Sequence, residues 1–144
     1  YAIWTVEDLE NTAALKASAF ESTNVGSTHW FVSPILDAQY LDSLSMEFKY
    51  AYGKRSNHND RLQVLLSVNC GDEYQYVLFD RDSESLEGID FENDYYPITE
   101  EEWQRVFIDL NAYIGWGQFR IAFVFTNDNG NNLSNNSETD NVES

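Results

Sequence analysis

Basic residues are scarce in this sequence: eight Lys and Arg stand against 25 Asp and Glu, a formal net charge of -17. So acidic a surface repels a phosphate backbone instead of releasing its counterions, which argues against nucleic acid and anionic lipid as partners. Cysteine is nearly absent. Cys70 stands alone, so no intrachain disulfide can form and no cysteine-rich metal cluster can assemble, while the redox compartment stays open. No apolar run approaches the roughly 20 residues that a membrane-spanning helix needs. Tyr1-Ala2-Ile3-Trp4 is not the basic-then-apolar start of a signal peptide. Membrane insertion by this domain is therefore not expected. Histidine is limited to His29 and His58, and neither falls in a Ser-His-Asp or Cys-His spacing. Cys70 reads as an inert packing residue at the end of a strand, on its apolar face. Carboxylates are abundant, but glycosidase chemistry depends on the separation of two of them, which spacing along the chain does not reveal. The expectation is a domain without a catalytic centre.

What is present points to a packed fold. With 42% hydrophobic and 15% aromatic residues and only two prolines, the chain has the apolar surface that disordered segments lack. Its 144 residues suit one domain spanning 1–144, and a chain of this size buries roughly 68–70% of its unfolded surface. We read the acidic excess first as a solubility feature, with oxygen-ligated divalent cations as the alternative.

Alternation with period two dominates the middle of the chain. Leu44, Met46, Phe48, Tyr50 and Tyr52 share one strand face and Ser45, Glu47, Lys49 and Ala51 the other. Leu62, Val64, Leu66, Val68 and Cys70 repeat the pattern after the polar run Gly53 to Asp60, so the two runs are expected to form a long-looped antiparallel pair. Further strands are expected at Ala14 to Phe20, Trp30 to Ser33, Tyr74 to Phe79, Trp103 to Leu110 and Phe119 to Thr126, with a short last one from Asp140. The Phe119 strand is apolar on nearly both faces, which places it centrally in a sheet. Val6 to Leu15 and Thr99 to Gln104 have helix-compatible composition, and Thr99 followed by Glu100, Glu101 and Glu102 resembles an N-cap with an acidic first turn. Many strands separated by polar turns define an all-β sandwich or barrel. Asn127 to Thr139 is almost entirely Asn, Ser, Asp and Gly and is expected to be a surface loop.

Two groups of residues are candidates for binding. Asp90, Glu92 and Asp94 alternate in Ile89 to Tyr96 and partly mimic a calcium loop. The glycine that such a loop needs at its sharp turn is replaced by Tyr95, so an ordinary solvated strand face is the competing reading. Aromatic faces are the second group. Trp116, between Gly115 and Gly117, and the pair Tyr95-Tyr96 before Pro97 lie in expected loops, where they could stack on a sugar ring or simply cover a core edge.

Four segments, in order, resemble a known group. Ser27-Thr28-His29-Trp30-Phe31-Val32-Ser33-Pro34-Ile35-Leu36-Asp37 resembles the "W-L-hydrophobic-S-P-x-hydrophobic-D" signature of the cleaved-adhesin and choice-of-anchor domains of Bacteroidetes surface and secreted proteins. Val106 to Gly115 resembles that group's "I-D-L-S-x-Y-x-G", Phe119-Arg120-Ile121-Ala122-Phe123 its "V-x-I-A-F" strand, and Asp140-Asn141-Val142 its closing "D-N-V". The resemblance covers nearly the whole chain. It implies a jelly-roll β-sandwich of two antiparallel sheets, location at the cell surface or outside the cell, and non-catalytic adhesion to a glycan or a surface protein. Because the chain opens inside an apolar stretch and stops at Asp140-Asn141-Val142-Glu143-Ser144, it is expected to be a fragment excised from a larger surface protein. Any Ca²⁺ would be structural, with Asp140 as a ligand. The Asp-rich opening of some relatives is replaced here by Trp4-Thr5-Val6-Glu7-Asp8. Trp30 is expected to be a core anchor with buried neighbours.

Overall fold

The computed structural model describes residues 4–9, 12–18, 28–54, 59–86, 88–90, 97, 99–127 and 141–143. Among these the chain forms eleven strands: β1 (Trp4–Leu9), β2 (Thr12–Ser18), β3 (Thr28–Val32), β4 (Leu36–Asp37), β5 (Ser45–Lys54), β6 (Arg61–Ser67), β7 (Tyr76–Asp82), β8 (Ile89–Asp90), β9 (Gln104–Asp109), β10 (Gln118–Thr126) and β11 (Asn141–Glu143). One sheet runs β1-β2-β11-β5-β8 with β9 also paired to β5; the other runs β3-β10-β6-β7 with β4 paired to β10. All pairings are antiparallel except a two-residue parallel contact between β5 and β8. The fold is an all-β sandwich.

Alternation decides which side chains meet between the sheets. Leu62, Val64 and Leu66 of β6 and Ile121 of β10 are buried, and Leu44, Met46, Phe48 and Phe123 pack against them. Glu47 is exposed and Lys49 keeps its ammonium on the surface, paired with Glu100 at 3.0 Å, so the expected register holds. Phe48 reaches across the sandwich, edge-on to Phe79 of β7 at 5.5 Å and to Phe123 at 5.2 Å. The two buried tyrosines of β5 satisfy their hydroxyls: Tyr50 donates to the Leu86 carbonyl at 2.9 Å and Tyr52 to the Asp60 carboxylate at 3.0 Å.

Four expectations are corrected. β5 and β6 do not pair; they lie in opposite sheets, whose layers stand roughly 10 Å apart instead of the roughly 4.8 Å between neighbouring strands. The helix-compatible stretch Val6 to Leu15 is a β1–β2 hairpin in register from Trp4↔Ala17 to Leu9↔Thr12, its propensity overridden by pairing of β2 with β11. Cys70 is exposed, not on an apolar strand face. β6 ends at Ser67, whose hydroxyl accepts from the Gly71 N–H at 2.9 Å and turns the chain, leaving Cys70 at a positive φ of 63°.

Trp30 is the fourth. It is 47% exposed, and Phe31 and Val32 beside it are exposed as well. The cause is parity. Trp30 pairs with Val124 and Phe31 with Phe123, so Phe31 faces the inner layer and Trp30 the outer face of its sheet. There it lies against Tyr74 at 5.3 Å, over a small apolar cluster of Leu65, Ala122 and Val124. β10 is central, as expected, between β3 and β6, and its two apolar faces serve these two clusters. Thr99 opens one turn of 3-10 helix over Glu100–Glu102, with the Glu102 carboxylate accepting from the Thr99 N–H at 2.8 Å.

Candidate functional site

Two connections meet at one end of the sandwich and clasp each other. The first, from β3 through β4 to β5, is tied down where Leu36 and Asp37 pair with Phe119 and Gln118 at the start of β10. Asp37 stiffens it further, its carboxylate accepting from the Gln39 N–H at 3.0 Å. The second runs from β9 to β10 through a single 3-10 turn over Asn111–Tyr113. Leu110 donates its N–H to the Leu44 carbonyl at 2.9 Å, and the Asn111 side chain accepts from the Leu44 N–H at 2.8 Å. The Ala38 N–H completes the clasp on the Gly117 carbonyl at 3.1 Å. Ala38 and Leu110 are buried beneath.

Both connections carry exposed apolar side chains. Ile35, Leu36, Leu41 and Trp116 are all exposed, and Tyr40 is 88% exposed. Large apolar side chains gathered on one surface mark a contact site more often than scattered ones do. Behind them a cavity of about 250 Å³ opens between the sheets, lined by Phe31, Leu36, Leu44, Met46, Leu110, Phe119, Ile121 and Phe123 with Ser33 and Ser45. The Ser33 hydroxyl is already engaged, donating to the Pro34 carbonyl at 2.9 Å and accepting from the Ile121 N–H at 2.9 Å.

Three carboxylates neighbour lining residues along the chain. Asp37 follows the lining residue Leu36, Asp109 precedes Leu110 and stands opposite Ser45 in the β5–β9 register, and Asp42 lies two residues before Leu44. All three are exposed. Among the described residues the ion pairs lie elsewhere: Lys49 with Glu100, Lys54 with Glu84, Arg61 with Asp80 and Arg105 with Glu47.

Trp116 lies in the β9–β10 connection, half exposed, as expected of a ring in a loop. Gly115 and Gly117 take positive φ values of 89° and 86°, a conformation that favours glycine, and so let the chain reverse on both sides of the indole. The ring is braced edge-on by Tyr113 at 5.5 Å and Tyr76 at 5.4 Å, which contact each other at 5.2 Å. Sequence reasoning missed Tyr76 and Tyr113. Tyr113, three residues before Trp116 in the same connection, carried a signal; Tyr76 joins only through the topology. Tyr95, Tyr96, Glu92, Asp94 and Asp140 lie outside the described residues, as does the side chain of Asp90 in β8. Among the described residues no group of three or more His, Cys, Asp or Glu is placed to hold a metal ion. His29 has its pKa lowered, chiefly by burial, and its carbonyl accepts from the Trp4 indole at 3.1 Å; His58 lies outside the described residues.

Comparison with known protein families gives no matching family, and comparison with curated proteins gives no significant match. Among the described residues no helix is long and apolar enough to cross a membrane.

Proposed function

We propose that this chain is a non-catalytic adhesion or protein-interaction module of a cell-surface protein, a jelly-roll domain of the cleaved-adhesin and choice-of-anchor type. The observation that carries the reading is the exposure of five large apolar side chains, Ile35, Leu36, Tyr40, Leu41 and Trp116, in two connections that are hydrogen-bonded to each other. Exposing such side chains weakens solubility unless a partner covers them, and the acidic remainder of the surface offsets that liability. Three of the four resembling segments supply this end: the first forms β3 and β4, the second the β9–β10 connection, and the third β10. Structural Ca²⁺ through Asp140, or through Asp90, Glu92 and Asp94, belongs to the same proposal.

The test compares the wild-type domain with a Tyr40→Ser/Leu41→Ser double variant on arrayed extracellular proteins and glycans. Both positions are exposed, so circular dichroism and melting temperature should be unchanged while binding falls. Turnover of any glycan or peptide by the purified domain, abolished by one carboxylate substitution, would overturn the reading.

A second reading, carbohydrate binding, is favoured by one observation: an indole half open to solvent and held rigid by two tyrosines is a stacking platform with little entropy left to lose. Here Trp116→Ala should abolish glycan binding and leave protein binding through Tyr40 and Leu41 largely intact.

A further inference from the structure

Strand β9 has one neighbour. It pairs with β5 along its whole length, and among the described residues nothing pairs with its other side. An open cleft of about 430 Å³ lies there, bordered by the consecutive residues Gln104 to Ile108 and by Leu78, Phe79 and Arg81 of β7. Consecutive residues point to opposite faces of a strand, so all five meet one space through its backbone edge. The hydrogen-bond phase tells which groups lie on that edge. Leu110 donates to the Leu44 carbonyl, and the β5–β9 register continues from that pair. Gln104, Val106 and Ile108 therefore direct their backbone groups to β5, while Arg105, Phe107 and Asp109 direct theirs outward. A row of unpaired N–H and C=O groups is a template for another strand.

We propose that this edge pairs with the same edge of a second copy of the chain, β9 against β9, antiparallel and centred on Phe107. The result is a two-fold dimer in which the β5–β9 sheet runs on from one copy into the other. The strand is self-complementary in that register. On the outer face Phe107 stands against Phe107 of the second copy, and Arg105 against Asp109 of the second copy, twice by symmetry; on the inner face Val106 stands against Ile108 of the second copy. The three outer residues are the exposed ones, Phe107 at 66%. They are also the three whose backbone groups face outward, so each meets a hydrogen-bonded opposite number. Asp109 uses one carboxylate oxygen on the Asn111 N–H at 2.8 Å, which leaves the other for Arg105. A register shifted by two residues in either direction sets Phe107 against Arg105 or Asp109 and loses the ion pairs.

Other strand edges lack this symmetry. β1 carries Glu7 and Asp8 with no basic residue, β7 is bulged and ends in Asp80-Arg81-Asp82, and the His29 carbonyl of β3 already accepts from the Trp4 indole. Two copies of net charge -17 repel at long range. On the outer face of β5 and β9, however, Lys49 and Arg105 balance Glu47 and Asp109, so the contact itself is neutral.

The test uses the full chain at about 0.15 M salt, where repulsion is screened beyond about 8 Å. Sedimentation should show monomer at about 1 μM and dimer at about 1 mM. Across that range amide hydrogen exchange should slow at Arg105, Phe107 and Asp109 and change far less at Gln104, Val106 and Ile108, which are bonded to β5 in either state. Arg105→Asp and Asp109→Arg each set like charges opposite one another and should each weaken self-association at least about tenfold. Mixing the two variants should restore association, because every aspartate then faces an arginine. Circular dichroism checks that both are folded, and if either is not, the exchange pattern of the wild-type chain decides. A monomer at about 1 mM, slowing that bypasses Arg105, Phe107 and Asp109, or a mixture of folded variants that stays monomeric would overturn the proposal. So would a dimer kept by Arg105→Asp and lost by Tyr40→Ser/Leu41→Ser, which would place self-association on the exposed connections. Array binding and self-association are separate readouts, so the interaction reading and this inference fall independently.

Discussion

Replacing Phe48 by alanine removes the ring that joins the two sheets. Its edge contacts with Phe79 at 5.5 Å and Phe123 at 5.2 Å tie β5 to β7 and β10 of the opposite sheet, and Tyr50 also meets Phe79, at 5.9 Å. Deleting a core phenylalanine costs about 3–5 kcal/mol, and each ring pair carries about 0.5–1.5 kcal/mol of that beyond area burial. Phe48 is partly rather than fully buried, which points to about 3–4 kcal/mol. Against a total stability of about 5–15 kcal/mol the variant should still fold. In urea, with a slope of about 2 kcal/mol/M, the midpoint should fall by about 1.5–2 M at unchanged slope. The melting temperature should fall by roughly 6–16 °C. Phe48→Leu, which keeps most of the volume, should cost about 1 kcal/mol. A midpoint shift below about 0.5 M for the alanine variant would show that the two sheets do not depend on this ring, and the layer assignment would have to be redrawn.

Trp30→Ala should cost only about 1–2 kcal/mol in the same titration, because about half of the ring already faces solvent; a loss equal to that of Phe48→Ala would restore Trp30 to the core. Gly88→Ala should lower stability by about 1–3 kcal/mol, since a Cβ there would stand 2.5 Å from the Tyr52 carbonyl oxygen and 2.6 Å from its ring; an unchanged melting temperature would refute that close approach. Acid should destabilise the fold in two windows. The Arg61 guanidinium, bonded to both oxygens of Asp80 at 2.6 and 2.8 Å, holds that carboxyl below its usual value of 3.8, so its contribution is present above pH 3.8 and lost as pH falls through the lower folded value. Burial lowers the pKa of His29 below 6.5, so the unfolded chain binds the proton more readily and stability declines as pH falls below 6.5. Hydrogen bonds from Ser85 lower Asp82 as well, so Asp80→Asn should shrink the lower window and leave the His29 window unchanged in urea titrations across pH; an unaltered profile would show that the Arg61–Asp80 pair is not linked to folding.

Alternation along the chain reports which side chains share a face, and it does so for β5, β6 and β10 without any turn chemistry to help. It is silent on partners. The same pattern in Leu44 to Tyr52 and Leu62 to Leu66 suits a hairpin or two strands facing each other across a core, and only the other strands that pair with β5 or β6 decide between these. β7 shows how parity itself can reset. A bulge opposite Val64 and Leu65 inserts Leu78 as an extra residue, so Tyr76 and Phe79, three apart, both turn inward. β3 defeats parity differently, because Trp30-Phe31-Val32 is apolar throughout and rests on a strand that is itself apolar on both faces. Nothing local marks Trp30 as the outer residue; its alignment with Val124 does.

The candidate site divides along the same physical line. Trp116 announces itself, since glycines on both sides of a tryptophan make a turn that leaves the ring little to hide behind. The cavity has no such local sign. Its lining comes from β3, β4, β5, β10 and the two connections, and each contributor reads in isolation as ordinary core. It lies where regular pairing along β10 is interrupted: β3 ends at Val32 opposite Ala122 and β4 resumes only at Leu36 opposite Phe119, with Ser33 to Ile35 outside both strands. Asp37 and Asp109 have local origins of their own, for Asp37 ends β4 and Asp109 ends β9, positions where a chain leaving its sheet uses aspartate to satisfy the next backbone N–H.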